Sequence, residues 1–202
     1  MTFNNLRPLF SRFIEPFAKT IANWGISPNL VSIVSLLFAA FAGICFYYSL
    51  MEPALMLLGG FFVGVNSFLD ALDGSMARYM NLEGPKGDFL DHVIDRYSDV
   101  FIILGIVAGG FSSWSLGAVA IIGVLITSYL GTQAQALGLG RFYGGIMGRA
   151  DRLVLIMAAA FVYYLYPYEI AGMAAPGWSI ALIAVGSHIT ALQRIVHVWK
   201  NL

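Results

Sequence analysis

The sequence predicts an all-α integral membrane protein with six transmembrane helices and an N-terminal amphipathic helix at the membrane interface. Of the 202 residues, 59% are hydrophobic and only 11% are charged, whereas charged residues make up roughly 25% of a typical soluble domain. This composition excludes a soluble domain, a disordered chain and a nucleic-acid-binding protein. The single cysteine, Cys45, excludes an internal disulfide and a zinc site built from cysteines.

Residues 1–24 have the pattern of a helix that lies on a membrane rather than crossing it. Apolar side chains recur at i, i+3, i+4, i+7 and i+11, at Phe10, Phe13, Ile14, Phe17 and Ile21. Charged side chains take the opposite face, at Arg12, Glu15 and Lys19. This spacing predicts an interfacial amphipathic helix, which Gly25 ends.

The remaining residues, 25–202, are predicted to form one transmembrane domain. Long apolar runs are separated by short loops, and crossing a hydrocarbon core takes about 20 residues. The predicted spans are 28–51, 54–81, 87–111, 114–138, 149–166 and 176–199. Ser27 is a suitable N-cap for the first span, with Pro28 at the first helical position.

Basic residues predict the orientation in the cell membrane. The loops near 51–54, 110–115 and 165–176 contain no Lys or Arg, and nearly all the basic residues lie at the opposite ends of the spans. Cytoplasmic loops carry the excess of Lys and Arg in membrane proteins. We therefore expect both termini, the two basic loops and the active site on the cytoplasmic side.

Four aspartates are expected to meet at one membrane depth. Asp70 and Asp73 are i, i+3 near the end of span 2, whereas Asp91 and Asp95 are i, i+4 near the start of span 3. Each pair shares a helix face, and the two helices run antiparallel through a short loop. Charged groups inside a membrane are costly and mark functional sites.

A hard divalent cation would balance these carboxylates. Oxygen-only ligands favour Mg²⁺, Mn²⁺ or Ca²⁺ over zinc, and Mg²⁺ usually works with substrate phosphates. Four carboxylates can hold two ions, an arrangement used for displacement at phosphorus. Gly74 and Ala77 follow Asp73 by one and four residues, and their small side chains would let a ligand approach the helix.

The stretch reads D-x2-D-G-x2-A-R-x8-G-x3-D-x3-D, with Asp70, Asp73, Gly74, Ala77, Arg78, Gly87, Asp91 and Asp95 at the fixed positions. This pattern resembles the signature of the CDP-alcohol phosphotransferase family. The resemblance extends to the six-span layout, the amphipathic first helix and the element from Gly25 to Asn29. It implies an enzyme of phospholipid synthesis that transfers a phosphatidyl-type group from a CDP-activated lipid to an alcohol and releases CMP.

Carried over by position, the resemblance assigns roles to single residues. It implies a centre of two Mg²⁺ ions, with Mn²⁺ as the alternative, held by Asp70, Asp73, Asp91 and Asp95. Asp95 would also be the general base for the incoming hydroxyl. Nucleotide binding would fall to Gly74, Ala77, Arg78 and Asn29, although Asn29 fits equally well as a residue of the helix start.

The acceptor alcohol is predicted from three arginines near the cytoplasmic ends of spans 5 and 6. Arg149, Arg152 and Arg194 are suited to a phosphate because guanidinium groups bind phosphate through paired hydrogen bonds. The stretch resembles the acceptor site of phosphatidylinositol-phosphate and archaetidylinositol-phosphate synthases, which implies inositol phosphate as the acceptor, in a diacyl or archaeal ether lipid pathway. Ordinary positive-inside anchoring is the other interpretation of these arginines.

One departure favours a second acceptor. Gly131 and Gln133 stand in span 4 where the inositol-phosphate pattern has basic residues, although Gln133 can still hydrogen-bond a polyol. Glycerol phosphate is therefore the alternative acceptor. A cation-coupled transporter is the alternative of a different class, since intramembrane acids also line ion paths. The many glycines predict close helix packing or a homodimer interface.

Three further acids have structural interpretations. Asp88 is expected to cap span 3, with a role in the site as the alternative. Asp99 is expected to form a local ion pair with Arg96, three residues earlier. Asp151 is suited either to orienting a neighbouring arginine or to capping span 5.

Overall fold

The computed structural model describes the backbone of residues 7–140 and 142–202, and the side chains from residue 13 onward except that of residue 141. This part of the chain forms seven α-helices and no β-strand: α1 (Arg7–Asn23), α2 (Pro28–Tyr48), α3 (Ala54–Tyr79), α4 (Pro85–Ala108), α5 (Trp114–Ala136), α6 (Arg149–Leu165) and α7 (Ala175–Asn201). The predicted all-α fold is confirmed. Residues 1–6 of the expected interfacial helix, and the side chains of Phe10 and Arg12, lie outside the described residues.

Helix α1 divides its apolar residues between the protein and its surroundings. Ile14, Ala18 and Ala22 are buried in a cluster that includes Leu72 and Met76 of α3. Phe13 and Phe17 remain 62% and 46% exposed. The apolar face is therefore wider than the contact with α3, and its outer part is free to contact lipid.

Local signals set the helix ends. The Ser27 hydroxyl accepts a hydrogen bond from the backbone N–H of Leu30 at 3.3 Å, as the predicted N-cap requires. Helix α1 is followed by Gly25 at φ +77°, and α5 by Gly138 at φ +79°. Glycine adopts this left-handed conformation without a steric penalty. The observed helix ends differ from the predicted spans by a few residues.

The site sits where α2, α3, α4 and α6 converge, and close backbone packing fixes these helices. A Cβ atom on Gly43 of α2 would lie 2.6 Å from the carbonyl oxygen of Phe101 in α4. On α3, a Cβ atom at Gly60 would lie 3.0 Å from Cβ of Ala160 in α6. Small residues at these positions let the backbones approach, as in other membrane helix bundles.

Among the residues that the structure describes, four helices are long and apolar enough to cross a membrane: α2, α3, α5 and α7. Their outward faces carry large apolar side chains, such as Phe61 at 63% exposed and Val185 at 61% exposed. Helix α4 carries several charged residues at its N-terminal end, and α6 has 17 residues. The chain is an integral membrane protein.

Candidate active site

Three of the four predicted carboxylates form one cluster. Asp70 of α3 and Asp91 and Asp95 of α4 each offer a carboxylate oxygen, and these oxygens lie within 4.8 Å of one another. The i, i+4 spacing on α4 places Asp91 and Asp95 one turn apart on the face that meets Asp70. Asp95 is buried, and the other two are half-buried.

Asp73 lies beside this cluster and is held by a neighbouring helix. Its Oδ2 accepts a short hydrogen bond from the hydroxyl of Ser32 in α2. The carboxylates of Asp70 and Asp91 are close enough to repel it electrostatically. Asp73 therefore borders the cluster, with its orientation fixed by α2.

Arg149 joins helix α6 to the carboxylate cluster. Its Nη1 lies 2.7 Å from Oδ2 of Asp70 and 2.7 Å from Oδ1 of Asp95. Its Nη2 is 3.5 Å from Oδ1 of Asn66. These are ion-pair contacts between a guanidinium and two carboxylates, so the first residue of α6 is tied directly to α3 and α4.

Asp99 has a different partner from the one predicted. Its Oδ2 accepts a hydrogen bond from Nη2 of Arg152 at 2.8 Å, and its Oδ1 is 3.7 Å from Nε of Arg149. Arg96 instead contacts Oδ2 of Asp95 at 3.0 Å. The expected local Asp99–Arg96 pair is wrong because Asp99 is only 3% exposed and faces α6 across the helix interface.

Polar side chains of α2, α3 and α4 form hydrogen bonds with one another beside the site. Asn66 donates hydrogen bonds through Nδ2 to the carbonyl oxygen of Ser35 at 3.0 Å and to the hydroxyl of Ser98 at 3.4 Å. These bonds join α3 to α2 and α4. Sequence reasoning missed the role of Ser32, although Ser32 and Ser35 are spaced i, i+3 within an apolar helix, and that pattern indicates a buried polar face.

The predicted acceptor residues do not share one set of partners. Arg149 and Arg152 both reach Asp99, whereas Arg194 donates from Nε to the carbonyl oxygen of Gly144 at 2.9 Å and from Nη1 to that of Thr127 at 2.7 Å. Arg152 and Arg194 are 4% and 7% exposed. Arg152 and Arg194 are therefore held by hydrogen bonds inside the protein, unlike flexible arginines that only anchor a chain to lipid headgroups.

Gly131 leaves space for the side chain of Arg194. A Cβ atom on Gly131 would lie 2.7 Å from Nη1 of Arg194. The glycine that departs from the basic pattern in span 4 thus leaves room for a guanidinium from α7. Gln133 is half-buried, two residues further along α5.

The predicted nucleotide residues lie at the start of α2 and in the last turns of α3. The Arg78 side chain runs along Gly74, since a Cβ atom there would be 3.7 Å from its Nη1. Arg78 and Asn29 are exposed, and Ala77 is half-buried. The surface beside Asp73 therefore has small side chains and the positive charge of Arg78, which suits an anionic ligand.

Two predicted caps have different outcomes. The expected cap at Asp88 is wrong, because α4 begins three residues earlier with Gly84 as its N-cap. Asp88 lies in the first turn instead, and its carbonyl oxygen is 2.6 Å from Nδ1 of His92. For Asp151 the capping alternative is confirmed, since its Oδ2 accepts a hydrogen bond from the N–H of Gly148 at 2.7 Å.

The donor set fits a divalent metal ion. Carboxylate oxygens from two antiparallel helices converge within the distance that one ion can span, and hard oxygen ligands are those of Mg²⁺ and Mn²⁺. Asp70, Asp91 and Asp95 would hold such an ion, with Asp73 at the edge of the cluster.

Comparison with known proteins agrees with this geometry. The sequence model of the CDP-alcohol phosphatidyltransferase family matches residues 25–199. The chain belongs to this family. It is thus a membrane-embedded phosphatidyltransferase of phospholipid biosynthesis.

Two relatives of this phosphatidyltransferase have assigned activities. An archaetidylinositol phosphate synthase from Pyrococcus horikoshii is 33% identical over 199 residues, covering 98% of this chain and 97% of the relative. A phosphatidylinositol phosphate synthase from Streptomyces avermitilis is 30% identical over 207 residues, covering 96% and 81%.

The phosphatidyltransferase fold also matches solved structures. The phosphatidylinositol phosphate synthase of Mycobacterium tuberculosis with CDP-DAG bound superposes with a TM-score of 0.77 at 26% identity, covering 94% of each chain. The same enzyme in complex with manganese and citrate superposes with a TM-score of 0.76 at 27% identity, covering 93% of this chain and 89% of that one. The manganese complex agrees with a divalent metal as the cofactor that the carboxylate cluster fits.

Proposed function

We propose that this phosphatidyltransferase moves a phosphatidyl-type group, diacyl or archaeal ether, from a CDP-activated lipid to inositol phosphate, with release of CMP. The main support is that Arg149, whose guanidinium can bind a phosphate, lies against the carboxylate cluster. Arg149 contacts Asp70 and Asp95 directly, and Arg152 lies one turn away in α6. Relatives named as inositol-phosphate synthases cover nearly the whole chain.

The reaction makes one phosphorus–oxygen bond and breaks another. The acceptor hydroxyl attacks the lipid-side phosphorus, the bond from that phosphorus to CMP breaks, and the hydroxyl proton passes to the Asp95 carboxylate as general base. Two Mg²⁺ ions, held by Asp70, Asp73, Asp91 and Asp95, or Mn²⁺ in their place, would offset the charge on the diphosphate and on CMP.

The protein residues position both substrates. Gly74 and Ala77 leave space along α3 for the cytidine nucleotide, while Arg78 and Asn29 offer polar contacts to its diphosphate. Arg149, Arg152 and Arg194 hold the acceptor phosphate, and Gln133 hydrogen-bonds the polyol. In this assignment the arginines of α6 hold the acceptor hydroxyl close to Asp95, which lowers the entropic cost of reaching the transition state.

The proposed arrangement in the membrane has six spans, α2 to α7. Residues 1–24 form the interfacial helix and 25–202 the catalytic domain, with both termini and the active site on the cytoplasmic side. The carboxylates lie towards the ends of α3 and α4 that the basic loops mark as cytoplasmic. A homodimer is the proposed assembly, and its contact would have to use the large apolar side chains on the outward helix faces, because Gly105, Gly117 and Gly123 pack against other helices of this chain.

Glycerol phosphate is the second candidate acceptor, and Gly131 is the observation that favours it. The span 4 position lacks the cation expected for inositol phosphate, so the pocket suits a smaller phosphorylated alcohol as well. A cation-coupled transporter is the candidate of a different class, and it would transport ions without releasing CMP.

A CMP-release assay tests the proposal. Detergent-purified protein is incubated with a CDP-activated lipid and Mg²⁺, and inositol phosphate, glycerol phosphate, inositol or serine is supplied separately. We expect release with inositol phosphate and none from the Asp95→Asn control. Release only with another acceptor would refute the acceptor assignment, and no release with any acceptor would refute the proposed reaction.

A further inference from the structure

Arg149 contacts two of the carboxylates that would hold the metal ion. A single nitrogen, Nη1, lies 2.7 Å from both Asp70 and Asp95, two of the three clustered carboxylates. A guanidinium and a metal ion at these oxygens would repel each other as like charges at contact distance. Metal binding and the present position of Arg149 are therefore in competition.

Arg149 differs in this respect from its two arginine neighbours. Arg152 is held by Asp99 at 2.8 Å, outside the carboxylate cluster, and Arg194 is held by main-chain carbonyl oxygens. The buried Nε of Arg149 has no hydrogen-bond partner among the described residues and lies 3.7 Å from Asp99. Of the three proposed acceptor residues, Arg149 is therefore the one whose contacts must change when metal binds.

Asp95 is affected directly by this contact. One of its oxygens lies against Arg149 and the other accepts a hydrogen bond from Arg96 at 3.0 Å. A carboxylate contacted on both oxygens by guanidinium groups already has its negative charge balanced by neighbouring cations. A metal ion bound through Oδ1 of Asp95 would therefore have to displace Arg149.

We propose that Arg149 is an exchangeable counter-ion that couples metal binding to binding of the acceptor phosphate. It neutralises Asp70 and Asp95 until a divalent cation takes their oxygens, and its guanidinium then turns to the phosphate of the acceptor. The acceptor half of this inference rests on the proposed function, whereas the competition with metal follows from the Arg149 contacts alone.

The coupling has to be reciprocal. If metal binding releases Arg149 for the phosphate, then the bound phosphate must raise the affinity for metal by the same factor. Metal and acceptor should thus bind synergistically in the wild-type protein. The synergy should disappear when Arg149 is replaced by a side chain that carries no charge.

The first arm of the test measures Mn²⁺ affinity without acceptor. Free Mn²⁺ is followed by electron paramagnetic resonance in titrations of the full-length, detergent-purified protein. Arg149→Gln should bind Mn²⁺ at least about tenfold more tightly than wild type, a difference of about 1.4 kcal/mol. Arg152→Gln is the matched control, with a much smaller change because Arg152 contacts Asp99 instead. Unchanged or weaker Mn²⁺ binding by Arg149→Gln would overturn the competition.

The second arm repeats the titrations with saturating inositol phosphate, and with glycerol phosphate in parallel. Wild type should bind Mn²⁺ more tightly in the presence of the acceptor, whereas Arg149→Gln should show no such gain. Equal coupling in both proteins would overturn the role of Arg149. Competition in the first arm with no acceptor effect in wild type would locate the failure in the proposed acceptor.

A conservative variant guards against loss of fold. Arg149→Lys keeps the positive charge near Asp70 and Asp95, although its single ammonium group cannot reproduce the geometry of the guanidinium fork. Its Mn²⁺ affinity should lie between those of wild type and Arg149→Gln. Mn²⁺ should also raise the melting temperature of Arg149→Gln more than that of wild type, because a ligand bound more tightly to the folded state stabilises it more. An equal or smaller shift in a folded Arg149→Gln would contradict the competition.

Discussion

The substitution Gly131→Ala tests whether the missing side chain in α5 exists to admit Arg194. The new Cβ atom would lie 2.7 Å from Nη1 of Arg194 and 3.3 Å from the carbonyl oxygen of Phe142. Nη1 is the atom that donates to the carbonyl oxygen of Thr127 at 2.7 Å. The guanidinium therefore has to shift, and this buried hydrogen bond is lost or weakened.

The expected free-energy change follows from two opposing effects. Loss of a hydrogen bond to a charged group costs about 1.5–3 kcal/mol, whereas alanine in place of glycine within a helix gains about 0.5–1 kcal/mol. Gly131→Ala should be destabilised on balance. The matched control is Gly64→Ala in α3, whose Cβ would meet only Sδ of Met157 at the ordinary distance of 3.4 Å. Gly64→Ala should therefore show only the stabilisation that alanine provides over glycine within a helix.

The assay is equilibrium unfolding in mixed detergent micelles, combined with the KM for inositol phosphate in the CMP-release reaction. The free energies of unfolding of the two alanine variants should differ by about 1.5–3 kcal/mol, and KM should rise for Gly131→Ala alone. Equal stability of the two variants, with KM unchanged in both, would refute the link between Gly131 and Arg194.

The remaining predictions concern the buried charges and the metal. Asp99→Asn should lower the free energy of unfolding by about 3–5 kcal/mol, because it leaves Arg152 buried without its anion; recovery in a double variant with Arg152→Gln would support this cause. Asp95→Asn should abolish CMP release in protein that is still folded at the assay temperature, and residual turnover would contradict its role as base. Chelation by EDTA should abolish CMP release and added Mg²⁺ or Mn²⁺ should restore it, whereas a full rate in EDTA would exclude the metal. Ser32→Ala should reduce the rate at low Mg²⁺ more than at high Mg²⁺, because Asp73 loses the hydroxyl that orients it; an equal reduction at both concentrations would argue against that role.

Helical spacing within one element was sufficient to predict much of the site. Asp91 and Asp95 share a face of α4 because they are i, i+4, and this relation depends only on the geometry of a single helix. The N-cap at Ser27 is local in the same sense. These features are therefore readable from the sequence before any tertiary structure is known.

Contacts between helices were not predictable in the same way. The pairing of Asp99 with Arg152, and of Arg194 with the backbone near Gly131, depends on how α4, α6 and α7 are rotated about their axes. Side-chain spacing shows which residues share a face of one helix, but it does not show which other helix packs against that face. Sequence spacing favours Arg96 as the partner of Asp99 because residues at i, i+3 of a helix are always close. The observed partner, Arg152, is 53 residues away in the sequence.

The balance of buried charge explains why the cation and the arginines belong to one system. Asp70, Asp95 and Asp99 are each contacted by a guanidinium group from Arg96, Arg149 or Arg152. Asp73 is held by a neutral serine, and Asp91 adds a further carboxylate to the cluster. Arg149 thus supplies the guanidinium contact of Asp70 and shares that of Asp95 with Arg96, and a buried carboxylate that loses its cation is unfavourable. If Arg149 turns to an acceptor phosphate, Asp70 and Asp95 lose this positive charge, so the arrival of the acceptor strengthens the demand for divalent metal. Arg149 would then balance the charge of Asp70 and Asp95 before the substrates assemble, and the divalent metal would balance it once they are in place.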